Sequence, residues 1–218
     1  DCIDLQNIPE SSPARAAIHR IVASRLLPLT VTERRQEVCP IITLPGDYEH
    51  YLEELDKKQR HELRRKRRKA EGVGVEWYRT GPEHPIEAES ADFLRLMELS
   101  TDAKAQFLTM PGHLDFLREM ATVQAEAGHL EILFLLVEGQ KVASLFQFAY
   151  GDRILLYNSG IDVSQYSSLS TGIVLLTYGI EDAIQRGYRY YDFLRGDEIY
   201  KFRMGAQETH IYNLSLRR

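Results

Sequence analysis

The stretch "YYDFLRGDEIYKFRMGA", residues 190–206, concentrates side chains that could carry out acid–base chemistry. Carboxylates, cations and a phenol follow one another within a dozen positions: Asp192, Arg195, Asp197, Glu198, Tyr200, Lys201 and Arg203. Such groups can act as general base, general acid and holder of an anion. They also fit a surface loop with ordinary salt bridges. The elements that position them decide between the two interpretations.

A second candidate site is the segment "GIDVSQYSSLSTGI", residues 160–173, which passes from an apolar run through small polar residues into a helical pattern. The pattern begins at Ser170, Thr171 and Gly172. Backbone N–H groups at a helix start, together with the helix dipole, can bind a phosphate. A serine that only caps the helix gives the same pattern. The sequence contains neither a Walker pattern nor a dinucleotide-binding fingerprint.

The periodicity around these segments predicts an α+β (α/β mixed) fold. Three runs rich in β-branched and aromatic residues, "LEILFLLVEG", "KVASLFQFAYG" and "RILLYNSGID", are separated by tight turns and predict an antiparallel meander. The helix that starts near Ser170 then leads to the strand "YRYYDFL", and "THIYNLSL" supplies another strand. We therefore predict that residues 130–216 form one mixed sheet with flanking helices. The strands around Leu155 and Tyr191 should be parallel neighbours in a βαβ crossover.

The basic segment "LDKKQRHELRRKRRKAEG", residues 55–72, could bind nucleic acid or could be the solvated face of a helix. We predict one helix over 48–71, in which acidic residues precede cations by four positions. The predicted pairs are Glu53–Lys57, Glu54–Lys58, Asp56–Arg60 and Glu62–Lys66. Arg64, Arg65, Arg67 and Arg68 are expected to be exposed. Because these charges are partly self-paired, nucleic-acid binding is not expected to be the main role of the helix.

Composition sets the wider limits. The 218 residues can bury a sizeable core, and the net charge of −5 argues against a general nucleic-acid coat. No apolar run of about 18 residues could span a membrane. Cys2 and Cys39 have neither metal-binding nor redox spacing. We therefore expect a cytoplasmic protein without a metal.

Several of these segments together resemble the GNAT acyltransferase fold, and in particular a CelD-like branch, associated with cellulose biosynthesis and related to the Fem peptidyltransferases. The branch carries a basic helix similar to residues 55–72. It then has the patterns "F--L", "K--FL" and "fl", matched by "FLRLMELSTDAKAQFLTMPGHLDFL", and closes with "DFLRGdE-YK", matched by residues 192–201. The usual pyrophosphate loop of GNAT enzymes is replaced here by "YSSLSTGI".

The resemblance implies an N-acyltransferase that moves an acyl group from acyl-CoA to an amine. Asp192 or Glu198 would be the base, Tyr200 the acid, and Lys201 would hold charge on the donor or acceptor. The expected donor-binding residues are Asn158, Gly160, Ser170, Thr171, Gly172 and Arg195. Backbone N–H groups near 158–161 would stabilise the oxyanion. A small molecule or a cell-envelope component would supply the acceptor amine.

Two alternatives remain open at the level of sequence. Fem relatives use aminoacyl-tRNA, so tRNA could replace CoA as the carrier, and a GNAT-like half could also serve as a binding or assembly module without catalysis. The family's chains usually begin with another GNAT-like half. We therefore expect residues 1–46 to be the remnant and exit of such a half, and 47–218 to be the acyltransferase domain.

Overall fold

The computed structural model describes residues 2–218, which form nine β-strands and eight α-helices. The strands are β1 (Cys2–Pro9), β2 (Thr30–Val38), β3 (Ile41–Thr43), β4 (Glu76–Arg79), β5 (Leu130–Val137), β6 (Gln140–Tyr150), β7 (Arg153–Ile161), β8 (Tyr190–Asp192) and β9 (His210–Arg217). The helices are α1 (Pro13–Ala23), α2 (Tyr48–Glu54), α3 (Lys57–Glu71), α4 (Ile86–Ser100), α5 (Asp102–Thr109), α6 (His113–Glu126), α7 (Thr171–Gln185) and α8 (Ile199–Arg203). The predicted mixed α+β class is confirmed.

The chain forms two compact units. The larger is the contiguous segment Thr43–Asp192, and the smaller joins Phe193–Arg218 with the residues up to Ile42. In the smaller unit, β1, β9 and β2 form an antiparallel three-stranded sheet in that order. This division describes compactness, whereas the predicted boundary at residue 46 concerns a preceding GNAT-like half, and that boundary stays a prediction.

The sheet of the larger unit has the order β3-β8-β7-β6-β5-β4, with the division between the units falling within β3. The continuous apolar run of β5 is buried because helices cover both of its faces. Ile132 and Phe134 pack in a cluster with Phe93 of α4, whereas Leu133 approaches Gly179 of α7. The two-residue period of the strand thus divides one hydrophobic segment between two helical layers.

The predicted crossover is confirmed. β5, β6 and β7 form the antiparallel meander, and α7 leads from β7 to β8. β7 and β8 are parallel, with Ile154 opposite Tyr191 and Leu155 opposite Asp192. The crossover therefore brings the end of β8 beside Leu155, the third residue of β7.

The prediction that residues 130–216 form a single sheet was wrong for its last strand. β9 lies between β1 and β2, with Leu214 opposite both Leu5 and Glu33. Leu214 is fully buried in this arrangement. Periodicity indicated a strand correctly, but an antiparallel strand can choose partners that are far away in sequence, and periodicity does not identify them.

The predicted continuous helix over 48–71 was also wrong, because the chain breaks at Leu55 and Asp56. Leu55 has extended backbone and is buried, and the Asp56 carboxylate caps α3 by accepting hydrogen bonds from the N–H groups of Lys58 and Gln59. The break removes the helical spacing on which the Glu53–Lys57 and Glu54–Lys58 pairs depended. The Glu62–Lys66 pair forms, at 3.7 Å.

Arg67 differs from the other arginines of α3, since only 22% of its side chain is exposed. Its guanidinium lies 4.4 Å from the ring centre of Tyr178 and 5.3 Å from that of Tyr48, and it pairs with Glu181 at 2.6 Å. Burial alone would lower the pKa of Arg67, but the hydrogen bond and charge of Glu181 outweigh it and raise that pKa. The expectation that Arg67 is exposed was wrong, and the residue attaches α3 to α7.

We expect Arg67→Ala to lower the free energy of unfolding by about 2 kcal/mol, because it removes the aromatic contacts and leaves Glu181 half-buried without its cation. Arg65→Ala on the same helix is the matched control, since Arg65 is exposed and pairs only with Glu62. It should change stability by less than about 0.5 kcal/mol. Urea unfolding checks both variants, and equal effects would show that Arg67 has no special structural role.

At the other end of the crossover, a buried ionic network connects α7 to the sheet. Glu131 on β5 pairs with Arg186 and accepts a hydrogen bond of 3.2 Å from the Gln147 amide. Gln147 in turn accepts from the Tyr191 hydroxyl at 3.0 Å. Asp182 shares Arg186, at 2.9 Å. The network therefore joins β5, β6, β8 and the end of α7.

Within residues 2–218, none of the helices combines the length and the apolar character that a membrane-spanning helix needs.

Candidate active site

β7 and β8 form a fork. Their parallel pairing extends from Arg153 opposite Tyr190 to Leu155 opposite Asp192, whereas β7 continues to Ile161. From Leu156 onward, β7 therefore has no partner strand on the side that faced β8, and we call residues 156–161 the open edge. Such an edge offers backbone N–H and C=O groups to a ligand with amide groups of its own.

Side chains satisfy the backbone groups of the open edge. The Ser159 N–H donates to Asn158 Oδ1 at 2.8 Å, and the Ile161 N–H donates to the Ser100 hydroxyl at 2.7 Å. The Ser159 carbonyl accepts from Lys104 Nζ at 2.5 Å. Because alternate residues of an antiparallel strand direct their backbone groups to opposite edges, Ser159 and Ile161 both point away from β6. The proposed oxyanion donors at 158–161 would have to exchange these partners, and their role stays a prediction.

Gly160 permits the close approach of α4 to β7. A Cβ at this position would lie 2.7 Å from each of three atoms, namely Leu96 Cβ, the Met97 N and the Ser144 Oγ. No side chain fits there, so packing alone explains this glycine. Its predicted contact with the donor remains untested.

The start of α7 presents backbone donors. Ser170 occupies the N-cap position in a left-handed conformation, with φ of 54°, and its side chain makes no capping hydrogen bond. The sequence-based alternative that Ser170 merely caps the helix is thereby weakened. Lys69 at the end of α3 donates to the Ser168 carbonyl at 2.9 Å, which brings a cation beside the same loop. The buried Thr171 begins the helix itself.

Gly172 permits the close packing of α7 against β7. A Cβ there would lie 2.4 Å from Ile161 Cδ1, so the glycine lets α7 pack against the end of β7. Helix–strand packing thus accounts for this glycine, and the prediction that Gly172 admits a ligand to the backbone stays a prediction. This contact fixes the helix start next to the open edge.

Asp192 lies at the base of the fork, where it is the last residue of β8 and only 8% exposed. Its carboxylate lies 3.9 Å from the guanidinium of Arg153 at the start of β7. An aspartate in this position can accept a proton from a group held between the diverging strands. Its proposed role as the base stays a prediction.

The remaining predicted catalytic residues belong to the smaller unit. Lys201 is 3% exposed, and its ammonium pairs with Glu198 at 2.7 Å and donates to the carbonyls of Arg195 and Gly196 at 2.7 and 3.1 Å. Lys201 thus stabilises the loop formed by residues 195–198. Burial, followed by the charge of Glu198, raises the pKa of Tyr200 to about 12, so its phenol stays protonated at neutral pH.

Arg195 is exposed and donates a hydrogen bond to the Asn7 side chain. Its predicted contact with the donor is untested, as are the catalytic roles of Glu198, Tyr200 and Lys201. No three His, Cys, Asp or Glu side chains among residues 2–218 are arranged to hold a metal ion.

Lys104 was absent from the candidates drawn from the sequence, although it lies in the "KAQFL" segment that matches the "K--FL" pattern. Its ammonium reaches both the Ser159 carbonyl and, at 3.3 Å, the Ser159 hydroxyl. Because α5 is short and only weakly amphipathic, periodicity did not show which way Lys104 points. The family pattern was the one available signal.

Comparisons with solved structures show the same fold. FemX superposes with a TM-score of 0.72 at 11% identity, covering 98% of this chain and 71% of that chain. A conserved protein of unknown function from Bacteroides thetaiotaomicron gives 0.66 at 16% identity, covering 99% and 69%. L-PGS from Bacillus licheniformis gives 0.63 at 13% identity, covering 97% and 66%. Among curated proteins, none matches the chain.

The sequence profile described as "Acetyltransferase (GNAT) domain" matches residues 57–202, about two thirds of the chain. The matched segment contains the open edge, the start of α7 and Asp192. The chain therefore belongs to the GNAT acetyltransferase domain family.

Proposed function

We propose that the protein transfers an acyl group from a thioester donor, acyl-CoA, to an amine acceptor. The fork between β7 and β8 supports this most directly, because a strand edge without a partner strand lies beside an uncapped helix start. The helix start can bind the donor's phosphates, and the edge can pair with its amide-bearing arm. The acyl carbon would then lie between the strands, above Asp192.

The chemistry assigned to the site has three parts. Asp192 accepts the proton of the amine directly or through water, with Glu198 as the alternative base. Backbone N–H groups of the open edge stabilise the tetrahedral oxyanion. Tyr200, which is protonated at neutral pH, donates a proton to the departing thiolate. Lys201 contributes by holding the loop that carries Glu198 and Tyr200.

An aminoacyl-tRNA donor is the second candidate, and the position of α3 favours it. Lys69 touches the loop before α7, and exposed arginines continue along the helix. The similarity to FemX and to L-PGS concerns the fold alone at the identities observed. The CelD-like assignment, the preceding GNAT-like half and the cytoplasmic location belong to the same proposal.

We expect Ser170→Asp to weaken CoA binding at least tenfold, or about 1.4 kcal/mol. Aspartate tolerates the left-handed conformation, and its negative charge beside the helix-start N–H groups would repel the donor's phosphates. Because the same carboxylate favours the helix dipole, stability should not fall. Calorimetry with short- and long-chain acyl-CoAs, and separately with tRNA, measures the effect.

Ser12→Asp is the matched control, since Ser12 also precedes a helix, α1, without a capping hydrogen bond from its side chain. It should leave CoA binding unchanged. Equal CoA affinity of Ser170→Asp and the unmodified protein would place the phosphate site elsewhere. Binding of tRNA but not of CoA would replace the proposed donor by the second candidate.

A further inference from the structure

The ammonium of Lys104 lies on the open edge of β7, where it acts as a substitute partner for a backbone acceptor. It donates to the Ser159 carbonyl at 2.5 Å and to the Ser159 hydroxyl at 3.3 Å. A half-buried carbonyl that faces no neighbouring strand needs another donor, because a buried acceptor left without one costs about 1–3 kcal/mol. Lys104 supplies that donor from α5, a helix outside the sheet.

The neighbouring positions show that this contact belongs to a pattern. The two N–H groups of the same edge, at Ser159 and Ile161, are satisfied by Asn158 and Ser100. Three side chains thus take the positions that an added strand would take. An extended group with its own amides could displace Ser100 and Lys104, since it would present a C=O to the Ile161 N–H and an N–H to the Ser159 carbonyl, which leaves the Ser159 N–H for the oxyanion.

We infer that Lys104 is a gating residue, whose ammonium must leave the Ser159 carbonyl before the amide-bearing arm of the acyl donor can pair with β7. This inference rests on the proposed function, since it assumes a donor with such an arm. The pantetheine arm of CoA carries two amides and is long enough to lie along the open edge. A carrier without amides, by contrast, would leave the Lys104 contact in place.

If Lys104 is a gate, replacing it should change the binding of the whole donor but not the binding of the donor's phosphate-bearing part alone. Removing the ammonium should strengthen binding of CoA, because the donor no longer competes with it. Binding of adenosine 3′,5′-bisphosphate, which has the phosphates but lacks the arm, should not change. A purely structural role of Lys104 would weaken both ligands equally or neither.

The experiment is calorimetric titration of the unmodified protein, Lys104→Met, Lys104→Arg and the control Lys58→Met with both ligands. Lys58 is exposed on α3, so its replacement removes the same charge away from the edge. We expect Lys104→Met to bind CoA about tenfold more tightly, with the bisphosphate unchanged, and Lys104→Arg to resemble the unmodified protein. Reductive methylation followed by mass spectrometry should show that Lys104 reacts slowly alone and faster when CoA is bound.

The outcomes separate this inference from the proposed function. If CoA binds but neither its affinity nor the reactivity of Lys104 changes as expected, the gating role is wrong while the acyl-CoA donor stands. If CoA binds none of the four proteins, the proposed donor is wrong and the gating role falls with it. Equal tightening of CoA and the bisphosphate would show general electrostatics and would also overturn gating.

Discussion

Asp192→Asn is expected to lower the rate of acyl transfer about a hundredfold or more, the usual scale for a missing general base. The substitution keeps the size of the side chain at the base of the fork but removes its ability to accept a proton. Folding should survive, because the amide oxygen can still face Arg153, which is 3.9 Å from the present carboxylate. Donor affinity should remain near that of the unmodified protein. Single-turnover kinetics with acyl-CoA and an amine acceptor measure the loss.

Asp152→Asn is the matched control, since its carboxylate also lies near Arg153, at 3.6 Å, but on the turn before β7, where its side chain is 44% exposed. It should leave the transfer rate within about twofold, because it sits away from the fork. If Asp192→Asn unfolds the protein while Glu198→Gln abolishes turnover, Asp192 has a structural role. The base would then be Glu198.

Glu131→Gln is expected to lower the free energy of unfolding by about 3–5 kcal/mol, the range for breaking a buried ion pair from one side. The Glu131 side chain is 9% exposed and interacts with Arg186 and with Arg79, the latter at 3.7 Å. Its neutralisation would leave Asp182 to balance both arginines. Chemical denaturation followed by circular dichroism measures the loss.

Two further variants test the cause of that loss. Glu76→Gln changes an exposed glutamate on β4, and its effect should stay within about 0.5 kcal/mol. The double variant Glu131→Gln with Arg186→Gln should be less destabilised than the sum of its single changes, because neither partner is left charged and alone. Strict additivity would show that the pair does not interact energetically.

The crossover could be predicted because its signals are local. The tight turns in the meander, the helical period after Ser170 and the strand containing Tyr191 all lie within 130–192. The position of β9 could not be predicted in the same way. Its partner strands, β1 and β2, begin at Cys2 and Thr30, and no local sequence pattern shows that β9 will pair with them. Nonlocal strand pairing is therefore where the prediction of the sheet failed.

The basic helix shows that a count of charges does not reveal the environment of each charged side chain. Arg65 and Arg67 were both predicted to be exposed, yet on α3 Arg65 faces solvent and Arg67 lies between two tyrosines. Asp56 was predicted to pair with Arg60 inside one continuous helix, but its carboxylate caps the start of α3, where that helix is interrupted. Both differences arise because the environment of a side chain on a helix depends on the elements that pack against that helix.

In the candidate site, the sequence indicated the types of residue better than their roles. Gly160 and Gly172 are explained by the close approach of α4 and of Ile161. Lys201 is buried among acceptors of its own loop. Lys104 became a candidate only once α5 was seen to reach Ser159. The sequence alone does not show whether a glycine or a lysine contacts a ligand or another part of the protein.

The two ends of the larger unit leave it side by side, since the Leu44 N–H donates to the Arg189 carbonyl at 2.8 Å. This proximity bears on the order of folding. Val38 of β2 must meet His210 of β9, which lies far along the chain, and the entropy lost on closing a loop rises with its length. If Thr43–Asp192 folds first, it shortens the effective loop to the segments 39–42 and 193–209 outside that unit. Early folding of the contiguous unit would thus lower the entropic cost of pairing β2 with β9.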